Sequence, residues 1–320
     1  MPETTELTLA GLEADNLLAF LAMLGLLRAL EAERPAWNAR VAWSLLPTRA
    51  NLFITEDVSP SDVAAAASDG CRRLAQVHHF DARDIAFSRE EARDALQEAA
   101  RQGGARALLL SALVSDGVMK SGIKSGEVQP SPICTMFGQG HQHFLDRLKA
   151  VPLGSPGTGS SRKPVDLGAP SFIEKSLFRP WERADATDGF RWDPLDDRRY
   201  AVRYDDPSSS PATTEHGANR LAAVAVPLLT AFPGRRAGRP ALVVRGFSWG
   251  KDGPRFTWPI WTRPAPLATI LALLDHPELA QETPRMRRLG SLSIVDVRRS
   301  RRFSVGKFLN FSRAESVVAT

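Results

Sequence analysis

The chain has 320 residues, of which 43% are hydrophobic and 24% charged, with seven tryptophans. That composition excludes wholesale disorder and supplies enough apolar side chain for a sizeable core without disulfide staples. The net charge of +5 conceals an asymmetry: residues 1–160 hold 15 basic and 19 acidic groups, residues 161–320 hold 26 and 17, and the last forty hold nine and three.

In chain order, Thr5 to Ala10 alternates like a short strand. Asp15 and Asn16 are good caps for a helix over Leu17 to Glu33, which Pro35 stops. Its leucines, Phe20 and Met23 leave hardly any polar face, so this helix is predicted to be central or to face a partner. Its uncharged run, Leu17 to Leu27, is too short to cross a hydrocarbon layer of roughly 30 Å. Glu3, Glu6, Glu13 and Asp15 precede it where a signal peptide would be basic, so a soluble, cytoplasmic protein is expected.

Val41 to Leu45 and Asn51 to Thr55 read as strands around a turn at Pro47, and Pro60 opens an alanine-rich helix ending near Gln76. Ser88 and Glu91 form a capping box for a helix ended by Gly103 and Gly104, with a second apolar segment from Ala105 to Val114. Residues 115–132 read as an irregular loop carrying Lys120 and Lys124 in a small Lys-Ser-Gly repeat, and a helix is expected from Gln142 to Lys149. Residues 152–170 are rich in Gly, Ser and Pro and read as a linker or long loop. They divide a helix-rich N-terminal half, 1–151, from a basic C-terminal half, 171–320.

In that second half Ser171 and Glu174 suggest another capping box, for a helix stopped by Pro180, and Gly217 to Leu229 reads as a helix. Ala241 to Trp249 and Phe256 to Trp261 read as a hairpin across Gly250 to Gly253; Leu267 to Leu274 reads as a helix and Leu292 to Arg298 as a strand. Helices and strands mix without a βαβ period, so the predicted class is α+β.

Cys71 and Cys134 are the only cysteines, far apart and without CxxC spacing, and read as buried free thiols. Gly154 to Ser161 looks like a phosphate-binding loop, but Ser160 stands where lysine is required, so no nucleotide site is expected. His141, His143 and Asp146 are weak candidates for a metal site, and a metal-dependent nuclease using His141 and His143 is one alternative function. Asp193, Asp196, Asp197, Glu215 and His216 form an acidic group whose expected fate is ion pairing, with Arg198 and Arg199 close by. No cofactor is expected.

The basic, aromatic C-terminal third points instead to nucleic acid. Arg298, Arg299, Arg301, Arg302 and Lys307 are the phosphate-contacting candidates, Lys120 and Lys124 secondary ones, and Trp258 and Trp261 candidates for stacking on unpaired bases.

The stretch from Gly11 to Arg28 resembles the start of proteins encoded beside type I-G (formerly I-U) CRISPR effector genes. Those begin with a strand and then a D-N-P-x-x-F-L-A-x-x-G-L-L helix; here Leu17 takes the place of the proline. Met136 to Phe144, His216 to Leu221, Phe256 to Trp261 and Ser304 to Phe308 are similar to segments of the same group. The resemblance implies RNA-guided antiviral defence, as an effector-complex subunit or an accessory to the helicase–nuclease. Its implied partners are CRISPR RNA or target DNA together with the other complex proteins. A non-catalytic nucleic-acid-binding component is the expectation; the nuclease and a protein–protein adaptor of the complex are the alternatives.

Overall fold

The computed structural model describes residues 4–138, 142–155, 166–187, 189–196, 213–305 and 308–318. Helix α1, Leu17–Glu33, is its axis. Asn16 sits in extended backbone and its side-chain oxygen accepts from the amides of Leu18 and Ala19, satisfying donors that the first helical turn leaves open. Every residue from Leu17 to Leu27 is buried, because neighbours cover α1 on all sides.

Two of those neighbours are helices that approach main chain to main chain: α2, Pro60–Leu74, and α7, His216–Ala225. A Cβ on Gly25 would lie 1.8 Å from the carbonyl oxygen of Leu221 in α7, and one on Gly70 of α2 would lie 2.3 Å from that of Ala29 in α1. Only glycine permits these spacings. Gly25→Ala must push two helices apart and is expected to cost at least about 3 kcal/mol, measurable as a lowered urea midpoint.

Between these, α3 (Arg89–Gln102) and α4 (Gly104–Leu113) form a pair, followed by α5, Phe144–Ala150, and α6, Pro170–Phe178. The capping boxes Ser59/Asp62 and Ser88/Glu91 are formed as reciprocal bonds. The box expected at Ser171/Glu174 is not. The helix begins at Pro170 after Ala169, because proline fills a first-turn position whose N–H would go unpaired anyway.

Among the described residues the strands form three antiparallel sheets. β1 (Thr5–Glu13), β2 (Arg40–Leu45) and β3 (Thr48–Ile54) are ordered β1-β3-β2. β4 (Ala231–Arg236) and β5 (Arg239–Val244) make a two-stranded ribbon. β6 (Phe247–Gly250), β7 (Gly253–Trp261), β8 (Ile294–Val305) and β10 (Glu315–Ser316) form the third sheet, with β9 (Phe308–Phe311) also on β8. The predicted strand Ala241 to Trp249 is thus divided. Gly246, at φ 75°, turns the chain, so residues before it pair with β4 and those after it with β7.

α8, Leu267–Leu274, and the short α9, Met286–Leu289, complete an α+β fold. Both halves of the chain share one hydrophobic cluster: Phe20 of α1 stacks on Trp258 of β7 with ring centroids 5.3 Å apart, and Trp43 of β2 meets Trp261 edge-on at 6.2 Å. The described ends of the 152–170 stretch meet, Gly154 against Gly168, and the Gly168 carbonyl accepts from Arg220 at 3.0 Å. Cys71 and Cys134 are free and buried, and burial pushes the Cys71 thiol up to about 12. Among the described residues no helix is long and apolar enough to cross a membrane.

Candidate nucleic-acid interface

The four arginines singled out on β8 do not converge into one surface. A strand sends alternate side chains to opposite faces, so Arg298 and Arg302 part from Arg299 and Arg301. Arg299 is buried against the loop after α8. Its guanidinium donates to Thr257 Oγ1 at 3.0 Å and to the carbonyls of Glu282 at 2.8 Å, Leu279 at 3.1 Å and Gln281 at 2.5 Å. With those donors used, Arg299 ties a loop to the sheet and has little left for phosphate.

Arg302 donates to the Pro132 carbonyl at 2.9 Å, and burial lowers its guanidinium to about 10, still charged at neutral pH. Arg298 pairs with Asp296 at 2.7 Å. Arg301 lies 3.3 Å from Asp252, both more than half exposed, a contact that water and salt weaken. Lys307 lies outside the described residues.

Trp258 and Trp261 are corrected from stacking platform to core. Both are buried, with their indole N–H groups donating to the carbonyls of Ala14 at 3.2 Å and Val41 at 2.7 Å. No ring face is left for a base. In the 115–132 loop, Lys120 pairs with Glu127 and lies 5.8 Å over the Phe137 ring, while Lys124 reaches Glu127 only at 3.9 Å and is largely exposed.

Of the weak metal candidates, His143 and Asp146 are each held by another residue. His143 Nδ1 is 2.6 Å from Asp84 Oδ2, and Asp146 accepts from Arg83 at 2.7 Å. These two couples fasten the turn around residue 84 to the start of α5. His141 lies outside the described residues, and among those described no three His, Cys, Asp or Glu side chains gather as metal ligands.

Two members of the acidic group, Asp193 and Glu215, are held by residues from other segments. Arg183 Nε donates to Asp193 at 2.6 Å and its main-chain N–H to Glu215 at 3.2 Å, Ser176 donates to Glu215 at 2.8 Å, and Lys175 pairs with Asp185 at 3.0 Å. Burial raises the Glu215 carboxyl above its usual range. Asp193 also accepts from Asn16 at 3.1 Å, so the cap of α1 is braced by the second half of the chain. Asp197, Arg198 and Arg199 lie outside the described residues.

A basic surface does exist, on the β4–β5 ribbon. Ala237 (φ 47°) and Gly238 (φ 77°) form a two-residue turn in the left-handed region, the geometry that matches the twist of a hairpin. Arg236 and Arg239 pair across the last rung on one face, Arg235 lies one residue back on the other face of the same tip, and all three are exposed. Leu242 and Val244 are buried and anchor the ribbon, while Pro233 and Pro240 remove donors from its edges and blunt pairing with other strands. Among the described residues no carboxylate pairs with any of the three. Arg235 bonds the Gly238 carbonyl at 3.3 Å, and the Arg236 guanidinium lies 4.7 Å over the Trp249 ring.

Sequence reasoning passed over this ribbon because Pro233, Gly234 and Pro240 count against strands. The signal that marks it is Ala237-Gly238 between arginines, a hairpin turn flanked by cations. No protein-family model matches the chain, and no curated protein matches it.

Proposed function

We propose that this protein is a non-catalytic, cytoplasmic component of CRISPR antiviral machinery that binds guide RNA or target DNA, touching the sugar-phosphate backbone through Arg235, Arg236 and Arg239. The observation that carries the reading is the ribbon tip itself: three exposed guanidinium groups without carboxylate partners among the described residues. Arginines engaged by protein acids must give up those contacts before they hold phosphate, whereas these exchange only water and counterions. The strong C-terminal excess of basic groups supports the same partner, and the motif resemblance supports the CRISPR setting.

Salt tests it. Binding of a labelled oligonucleotide should weaken steeply with ionic strength. Replacing Arg235, Arg236 and Arg239 together by alanine should reduce the slope of log K against log salt by about 2 to 3, one counterion contribution per lost phosphate contact. An unchanged slope would exclude the ribbon as the phosphate contact.

A further inference from the structure

We infer that the outer face of the β4–β5 ribbon, with the groove beside it, is selective for single strands: an unpaired nucleobase stacks on Phe232 while Arg236 and Arg239 hold the neighbouring phosphates. This rests on the nucleic-acid reading above and adds the kind of strand bound and the residue that selects it.

The ladder places these groups on one face. Phe232 pairs with Val243, Gly234 with Ala241 and Arg236 with Arg239, and the two-residue period of a strand points all six side-chain positions the same way. The opposite face is apolar and buried at the base of the ribbon, with Leu242 and Val244 at 1% and 3% exposure, and carries the exposed Arg235 and Pro240 toward the tip. On the outer face Phe232 is 56% exposed and Val243 37%, a ring and a methyl pair displayed to solvent. Gly234 and Ala241 between them and the arginines leave a low path about 13 Å long, four residues at strand rise. Along that path a chain can lie flat, anchored by charge at one end and by a ring at the other.

Beside the ring opens a groove of about 400 Å³, bounded by Phe232, Val243 and Phe247 and, across from them, by His276 and Leu279. Thr230 and Ser248 add hydroxyl groups to a mostly apolar lining, a combination suited to a planar, hydrogen-bonding ligand. The acid on this rim, Asp275, is held by Arg245 Nε at 2.9 and 3.0 Å through both its oxygens, so it does not oppose a phosphate with unpaired charge. Stacking of Arg236 on Trp249 holds the guanidinium in place while its in-plane donors remain available.

A duplex keeps its bases stacked and offers only their edges, so it engages the arginines but not the slot. A single strand with a splayed base engages both. An acidic peptide without aromatic residues would also meet the cations but brings no ring to stack on Phe232.

The full-length protein should be titrated with a short labelled oligothymidylate and with a duplex of equal length, using Phe232→Ala, Phe232→Tyr and the triple arginine variant. Phe232 is mostly exposed, so both of its variants keep the fold. Phe232→Ala should weaken oligothymidylate binding about tenfold and leave the duplex unaffected, with Phe232→Tyr close to the unaltered protein. Wild-type affinity in Phe232→Ala would overturn the inference, as would duplex bound as tightly as single strand, or polyglutamate displacing the oligonucleotide as well as unlabelled oligothymidylate does. If only the triple arginine variant loses binding, the stacking slot fails and the ribbon's phosphate contact stands; if neither variant changes binding, the ribbon reading itself fails.

Discussion

Trp258→Ala is expected to destabilise the protein by about 4 kcal/mol, at the upper end for a single substitution, and to do so without any nucleic acid present. The indole is fully buried, stacked on Phe20 and close to Phe256, and its N–H donates to the Ala14 carbonyl just ahead of α1. Truncation opens a cavity where the N-terminal axis and the C-terminal sheet meet, and strands a buried acceptor. Trp258→Phe restores most of the ring but not the donor, and should cost about 1–2 kcal/mol. Urea unfolding of both variants checks the order, and oligonucleotide binding by the folded Phe variant should equal that of the parent. A selective loss of binding with stability intact would return Trp258 to the interface.

Lowering pH from 7 to 5 is expected to remove about 4 kcal/mol of stability, roughly 2 from each of two buried histidines. Burial, reinforced by the nearby Arg28 and Arg106, holds His78 at about 4, and burial with Arg220 holds His216 at about 4 despite the favourable charge of Asp185. Each donates one ring N–H to a carbonyl, His78 to Leu148 at 2.8 Å and His216 to Leu167 at 3.1 Å, which fixes the tautomer and favours the charged ring, but burial outweighs it. Their pKa values are depressed on folding, so below the unfolded value of 6.5 the unfolded chain takes up the extra protons. Stability is therefore full above that pH and is lost as pH falls toward 4. Glu215, raised by burial, acts with the opposite sign, so the double variant is the clean control. His78→Asn with His216→Gln keeps a neutral donor at each ring nitrogen in use and should flatten the decline between pH 7 and 5, followed by urea midpoints.

Much of the scaffold was legible because its signals are local. Asn16 before an apolar run and Pro35 after it bound α1 as it stands, and the glycines at 250 and 253 mark the β6–β7 hairpin. The core role of Trp258 was also readable in principle, since Phe256, Trp258 and Ile260 alternate toward one face. Trp261 breaks that alternation because the register shifts between Ile260 and Trp261, a bulge that no pattern announces.

The fate of the β8 arginines was not legible. A guanidinium bound to main-chain carbonyls, as Arg299 is to Leu279, Gln281 and Glu282, has partners that carry no sequence mark. Counting charges locates the basic half of the chain but cannot tell an arginine that braces a loop from one that waits at the surface. The acids at 193 and 215 likewise found Arg183, which reaches both from a left-handed backbone position at φ 54°.

The central claim, that phosphate is held by the ribbon tip and not by β8, is tested most directly by a paired comparison on one labelled oligonucleotide at low salt. The variant lacking Arg235, Arg236 and Arg239 is set against Arg298→Ala with Arg301→Ala. The ribbon variant should lose most of the affinity while the β8 variant keeps it. Full binding by the ribbon variant, with loss confined to β8, would contradict the account.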